Sequence, residues 1–192
     1  LDEKIITPLQ KKLAHEKNLL YHFFISAEKG ALWREYDQKG NPLEHIDHTI
    51  TIPTTLRDEI RTLVNKKFSR RMYFGEIKKA MISIEMQTNE DIKEFTAEQK
   101  TLIQILKEIL KNPKYKNLKI SPTVISTDIE DKKMGKSLGA QRSIHWLKTK
   151  QLRPRNFYAF GDTHSDIEMA IEIQNTYKDT AKVTFIFVGE KP

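Results

Sequence analysis

The stretch that most restricts what this chain can fold into runs from Asn156 to Ala170 and reads N-F-Y-A-F-G-D-T-H-S-D-I-E-M-A. An apolar run stops at Gly161, two carboxylates follow four residues apart at Asp162 and Asp166, and Ile167, Ala170 and Ile171 then recur at helical spacing. A buried parallel strand that feeds a helix through a tight acidic loop is how open α/β sheets place chemistry at strand carboxyl ends. Gly161 is expected to allow a backbone turn that a side chain would obstruct. Asp162, just past the strand tip, is then aimed into the crevice where a hard cation could sit. The plainer reading of the same residues is a turn aspartate with Ser165 or Asp166 capping the helix.

Composition decides which partners such a loop could serve. The 192 residues allow one large domain or two small ones. No apolar run approaches the roughly 18–20 residues of a membrane helix, and the opening residues do not read as a secretory signal. The absence of cysteine removes disulfides and thiolate metal sites and fits a cytoplasmic protein. A net charge of +7 invites a nucleic-acid reading. The basic residues are scattered along helical and strand patterns, however, so they read as a solvated lysine-rich surface, whose positive field would also attract a phosphorylated substrate.

Taken in order, residues 3 to about 18 read as a helix with Ile5, Ile6, Leu9 and Leu13 on one face. Tyr21 to Ile25 reads as a short strand, Ser26 to Gly30 as a loop, and Ala31 to Tyr36 as a strand. The turn signal Asp37 to Pro42 then returns the chain as a hairpin. Thr55 to Phe68 is a helix with Leu56, Ile60, Leu63 and Val64 on one side, and Thr55 with Asp58 suggests a capping box. Met72 to Phe74 is extended, and Ala80 to Met86 alternates as a half-buried strand. Thr96 with Gln99 suggests a second capping box opening a helix through Leu110, before strands at Leu118–Ile120 and Thr123–Ile129. A helix with Ala140, Ile144 and Leu147 on one face precedes the acidic loop, and Val183 to Val188 reads as another buried strand.

Gly161-Asp162-x-x-x-Asp166 after an apolar strand, with a lysine one helix upstream, resembles the fourth motif of the haloacid dehalogenase superfamily of phosphatases. The run from Gly161 to Met169 is similar to the sugar-phosphatase branch, which includes trehalose-phosphate and sucrose-phosphate phosphatases and phosphomannomutases; that branch usually carries asparagine where Ser165 stands. The order helix, strand, strand, helix, strand, strand over 53–131 resembles the inserted cap of that branch. The resemblance implies an α/β fold: a Rossmann-like core with a parallel sheet, incomplete here, and an inserted α+β cap. Residues 1–52 and 132–192 would form the core and 53–131 the cap. It also implies a magnesium ion and a small phosphorylated metabolite as substrate, while the scattered basic residues argue against nucleic acid as a partner.

Roles follow from the same resemblance. A lysine at the head of the helix before the acidic strand binds the transferring phosphoryl group, a place that Lys136 fits best, with Lys132 and Lys133 as competitors. Asp162 would hold magnesium, while Asp166 would orient Lys136 or a metal-bound water, or join the metal itself. Ser165 would donate to an oxyanion, and Arg70 and Arg71 are candidates for substrate anions from the cap. His164 could act as a general acid or simply be a solvated loop residue. The nucleophilic D-x-D segment of the family has no counterpart in the sequence. With Leu1 as the opening residue, the expectation is a fragment whose nucleophile lies upstream; the alternatives are a phosphomannomutase-like phosphotransferase or a non-catalytic binding module of the same fold.

Overall fold

The computed structural model describes residues 7–13 and 15–189. It divides into two units, one made of Leu1–Asp47 with Met134–Pro192 and the other of His48–Lys133.

In the first unit, Thr7–Lys12 forms helix α1 and Lys17–His22 a 3-10 turn. Residues 3–6 and 14 of the expected first helix lie outside the described residues. Tyr21 is not the start of a strand: the strand begins only at β1, Ile25–Ala27. An apolar run of four or five residues carries too little periodicity to separate a turn of helix from a strand. β1 pairs antiparallel with β2 (Leu32–Tyr36), and β2 with β3 (Pro42–Ile46), the register setting Trp33 opposite His45. Between β1 and β2, Glu28, Lys29 and Gly30 all have positive φ. At Gly30 a Cβ would lie 2.7 Å from the Gly139 nitrogen, so only glycine lets this turn seat against the helix that contains Gly139.

That helix is α4, Lys136–Thr149; β8 (Asn156–Gly161), α5 (Ile167–Tyr177) and β9 (Lys182–Phe187) complete the unit. β8 and β9 are parallel neighbours in register from Asn156↔Lys182 to Gly161↔Phe187, with α5 as the crossover that parallel pairing requires. Alternation puts Phe157 on the side of Tyr177 of α5, ring centroids 4.7 Å apart. The opposite side is open, leaving Tyr158 64% and Phe160 57% exposed. These strands are therefore less buried than their apolar runs suggest. Among the described residues, the helix packed on the pair is α5, which covers one face only.

The second unit runs α2 (Thr54–Lys67), β4 (Met72–Phe74), β5 (Ile82–Met86), α3 (Ile92–Leu110), β6 (Leu118–Pro122), β7 (Ser126–Asp131). The four strands form one antiparallel sheet in the order β4-β5-β7-β6, and β5 has no pairing with β8. Leu56, Ile60 and Val64 at i, i+4, i+8 of α2 and Phe95, Leu102 and Leu106 of α3 pack on Ile82, Ile84 and Ile129 of the sheet. Alternation turns Ser83, Glu85, Asp128 and Glu130 to the other face. β5 is more buried than a half-buried strand, since even Ser83 is 3% exposed; its hydroxyl is satisfied by Asp128 Oδ1 at 2.8 Å.

Neither suggested capping box forms at its helix start. α2 begins after Pro53 with no side-chain cap, and Asp58 pairs with Arg61 at 2.6 Å. α3 starts a turn earlier than Thr96: Asp91 Oδ1 accepts from the N–H groups of Lys93 (2.9 Å) and Glu94 (3.0 Å). Thr96 Oγ1 instead donates back to the Ile92 carbonyl, as hydroxyls inside helices do. Gln99, far from capping, is buried and donates to the Thr123 and Ser126 carbonyls and to Thr127 Oγ1.

Candidate active site

The first unit brings the acidic loop and the head of α4 together. Lys136 is the first residue of α4, whose first turn holds no acidic side chain. A cation at a helix N-terminus opposes the helix dipole, costing a few tenths of a kcal/mol to about 1 kcal/mol. Its position therefore needs a partner, and Asp166 is that partner: Lys136 Nζ lies 2.8 Å from Asp166 Oδ1. The head of the helix is fastened by the Gly135 N–H, which donates to the Lys29 carbonyl at 3.1 Å in the left-handed turn.

Asp166 also caps its own loop. Its Oδ2 accepts from the Thr163 N–H (3.1 Å) and the Thr163 hydroxyl (2.7 Å), and the Asp166 N–H donates to the Thr163 carbonyl. One carboxylate oxygen of Asp166 thus faces Lys136 and the other faces Thr163. Burial pushes this carboxyl's pKa up, but the hydrogen bonds from Lys136 and Thr163 and the lysine charge outweigh it and hold the pKa at about 2. The group is therefore ionised at neutral pH, where phosphate monoesters are anionic.

Gly161 is required for a different reason than a turn. Its φ is not in the left-handed region, but a Cβ on it would sit 2.1 Å from Asp166 Cβ and 2.7 Å from Cγ. The missing side chain is the space that Asp166 fills as it turns back toward Lys136.

Asp162 is exposed at the tip of β8, and none of the hydrogen bonds that organise the loop uses its carboxylate. Ser165 is exposed with its Oγ 2.9 Å from Thr163 Oγ1, and His164 is exposed beside it. Of the three candidate lysines, Lys136 pairs with Asp166, while Lys132 and Lys133 belong to the other unit. Arg70 and Arg71 are also in the second unit: Arg70 is exposed, while Arg71 is held by Glu94 and by Glu90 at 3.4 Å. Sequence reasoning missed two supports of the site, Thr163 and the positive-φ turn at 28–30. A threonine three residues before an aspartate is a detectable loop-cap signal; two non-glycine residues with positive φ leave none.

Among the described residues no three His, Asp or Glu side chains gather to hold a metal. Magnesium does not need such a cage, since it keeps several waters and takes one or two carboxylates beside substrate phosphate. Asp162 supplies one uncommitted carboxylate, which fits that demand in part, whereas both oxygens of Asp166 are already engaged.

No protein-family model matches the chain, and no curated protein matches it in sequence. Its α/β architecture is nevertheless similar to that of solved phosphatase structures. It is similar to the solved structure of Aspergillus fumigatus trehalose-6-phosphate phosphatase, with a TM-score of 0.52 at 13% identity over 96% of this chain and 65% of that one. It is also similar to Plasmodium falciparum IMP-nucleotidase, with a TM-score of 0.53 at 12% identity over 97% of this chain and 46% of that one. The chain therefore spans between about half and two thirds of the length of these structures. Among the described residues, no helix is long and apolar enough to cross a membrane.

Proposed function

We propose that this chain carries the phosphate-binding lysine and the acidic loop of a magnesium-dependent phosphomonoesterase acting on a sugar phosphate or similar small metabolite in the cytoplasm. The observation that carries the reading is Lys136 held by a buried, ionised Asp166, one turn of loop away from the uncommitted Asp162 at a parallel strand's carboxyl end. Ion-pairing to Asp166 restricts the lysine's rotamers, so its ammonium is preorganised to meet negative charge on a transferring phosphoryl group. Ser165, exposed beside it, offers a hydroxyl to a phosphoryl oxygen. Asp162 would hold magnesium, which when bound neutralises phosphoryl charge. Residues 53–131 would serve as the cap that selects the leaving group, with Arg70 the freer of its two arginine candidates.

The attacking group would be a carboxylate from a segment outside residues 1–192. Asp166 is tied to Lys136, and Asp162 is reserved for the metal. That aspartate would displace the ester oxygen from phosphorus to give an aspartyl-phosphate, which water then hydrolyses. In the complete protein, Asp162→Asn and Lys136→Ala should each lower kcat for phosphate-ester hydrolysis by roughly two orders of magnitude or more. Asp162→Asn should also raise the magnesium concentration needed for half-maximal rate. Turnover with unchanged metal dependence in both variants would sink the assignment, and absence of any phosphatase turnover in the wild-type protein would favour a binding module on the same fold.

A further inference from the structure

Away from the acidic loop, the first unit holds a cavity of about 290 Å³ between α4 and the β1–β3 sheet. One face of α4 lines it: Arg142, His145, Trp146 and Thr149, at i, i+3, i+4 and i+7. Opposite stand Trp33 and Glu35, on the same side of β2, with His45 facing Trp33 across the pairing; Phe24 closes one end. The walls are held in place. His45 stacks on Trp33 at 5.0 Å with an interplanar angle of 8°, the Arg142 guanidinium sits 4.6 Å from the Trp33 ring centroid, and Phe24 packs on Trp146 at 5.7 Å.

Three nitrogens of the lining have no hydrogen-bond partner: His45 Nε2, which faces the Glu35 carboxylate, and two from α4. Trp146 is 8% exposed, and its indole Nε1 has no hydrogen-bond partner. Arg142 Nε, one turn earlier, is also buried without one, although the guanidinium's other edge is bound to Asp47. Both atoms can only donate. The carboxylate in the lining, Glu35, is already faced by His45 Nε2 at 3.1 Å and Lys150 Nζ at 3.9 Å. Buried donors without acceptors are rare, because each carries a desolvation penalty that only a partner removes. A space this large is at the small end of ligand pockets and would take on the order of ten waters if it were merely wet.

We propose that this cavity binds a small oxyanion carried on an apolar body, such as a single-ring carboxylate, with its oxygens accepting from Trp146 Nε1 and Arg142 Nε and its body against Phe24 and Trp146. The site lies on the α4 face lined by Arg142 and Trp146 and shares no residue with the Lys136–Asp166 pair, so it stands independently of the phosphatase reading. The chain's two tryptophans both line the cavity, which gives it its own reporter.

The test uses the complete protein labelled with 15N-tryptophan. The Trp146 indole resonance is assigned by its loss in Trp146→Phe, or by elimination in Trp33→Phe should the first variant fail to fold. Benzoate should move that resonance in a saturable way. Inorganic phosphate should move it less, and benzylamine, the same ring with a cation, should leave it in place. Arg142→Lys, which keeps the charge but removes Nε, should weaken benzoate roughly tenfold, the worth of one hydrogen bond to a charged group. A Trp146 resonance unmoved by benzoate, or moved equally by benzylamine, would overturn the proposal. Equal responses to phosphate and benzoate would overturn the apolar body, and undiminished affinity in Arg142→Lys would overturn the oxyanion contact.

Discussion

At the scale of single residues, Asp166 joins stability to the site. Its carboxyl is held at about 2 against an ordinary 3.8, a difference equivalent to about 2 kcal/mol of stability. Because the folded-state value is the lower one, that stability is fully present above pH about 4 and is lost as pH falls toward 2. Asp166→Asn should therefore lower the urea midpoint at pH 7 while shrinking the wild-type loss of stability between pH about 4 and 2; parallel pH profiles would contradict the pairing. Since Lys136 is 45% exposed, its unpaired ammonium can rehydrate, and the cost should stay below the 3–5 kcal/mol typical when both partners are buried. Gly161→Ala tests the same pair from the other side. Its Cβ would collide with Asp166, so a loss of about 1–3 kcal/mol is expected together with the acid signature of Asp166→Asn. Gly189→Ala, whose Cβ would meet nothing nearer than 3.4 Å, should be close to neutral in the same unfolding measurement. The pairing of carboxylates with a turn glycine was legible because its parts lie within six residues. Among Lys132, Lys133 and Lys136 the head of the helix favoured Lys136, but its ammonium meets Asp166 only through the fold.

At the scale of elements, the long helices of the second unit and the succession of its helices and strands along the chain were readable from periodicity, whereas helix starts and the order of strands in the sheet were not. The pattern Thr96-x-x-Gln99 matches a capping box, but the helix already exists one turn before it, started by Asp91. Asp91→Ala should then cost about 1 kcal/mol in unfolding free energy, and Thr96→Ala should fall within roughly 0.5 kcal/mol of wild type. Reversal of that order in chemical denaturation would restore Thr96 as the cap. Gln99 shows why the pattern misled. A polar residue three positions after a threonine looks like a cap partner in one dimension, yet its side chain satisfies carbonyls at Thr123 and Ser126, beyond the end of β6. The burial of Ser83 has the same origin, since Asp128 arrives from a strand 45 residues later to accept its proton.

At the scale of the whole molecule, the parallel pair β8–β9 carries the candidate site and yet, among the described residues, has a helix packed on one face only. Tyr158 and Phe160 form an apolar surface of the kind that parallel sheets normally bury. The 1–192 polypeptide alone should self-associate through it, and Tyr158→Lys with Phe160→Lys should shift sedimentation toward monomer; unchanged self-association would place the contact elsewhere. What the sequence by itself determined is local. The strand, the glycine, the two aspartates and the following helix are neighbours along the chain, and their spacing alone restricts how they can fold. The helical and alternating periods likewise named the faces that form the core of the second unit. Only the tertiary structure decided that Lys136 is the lysine that meets Asp166, that Gly161 is there to make room for a carboxylate, and that Arg142 and Trp146 face Trp33 across a cavity. Arg142 and Asp47 are 95 residues apart, and nothing in the composition around either announces the other. Such contacts depend on how whole elements pack, and packing is a property of surfaces that exist only once the chain has folded.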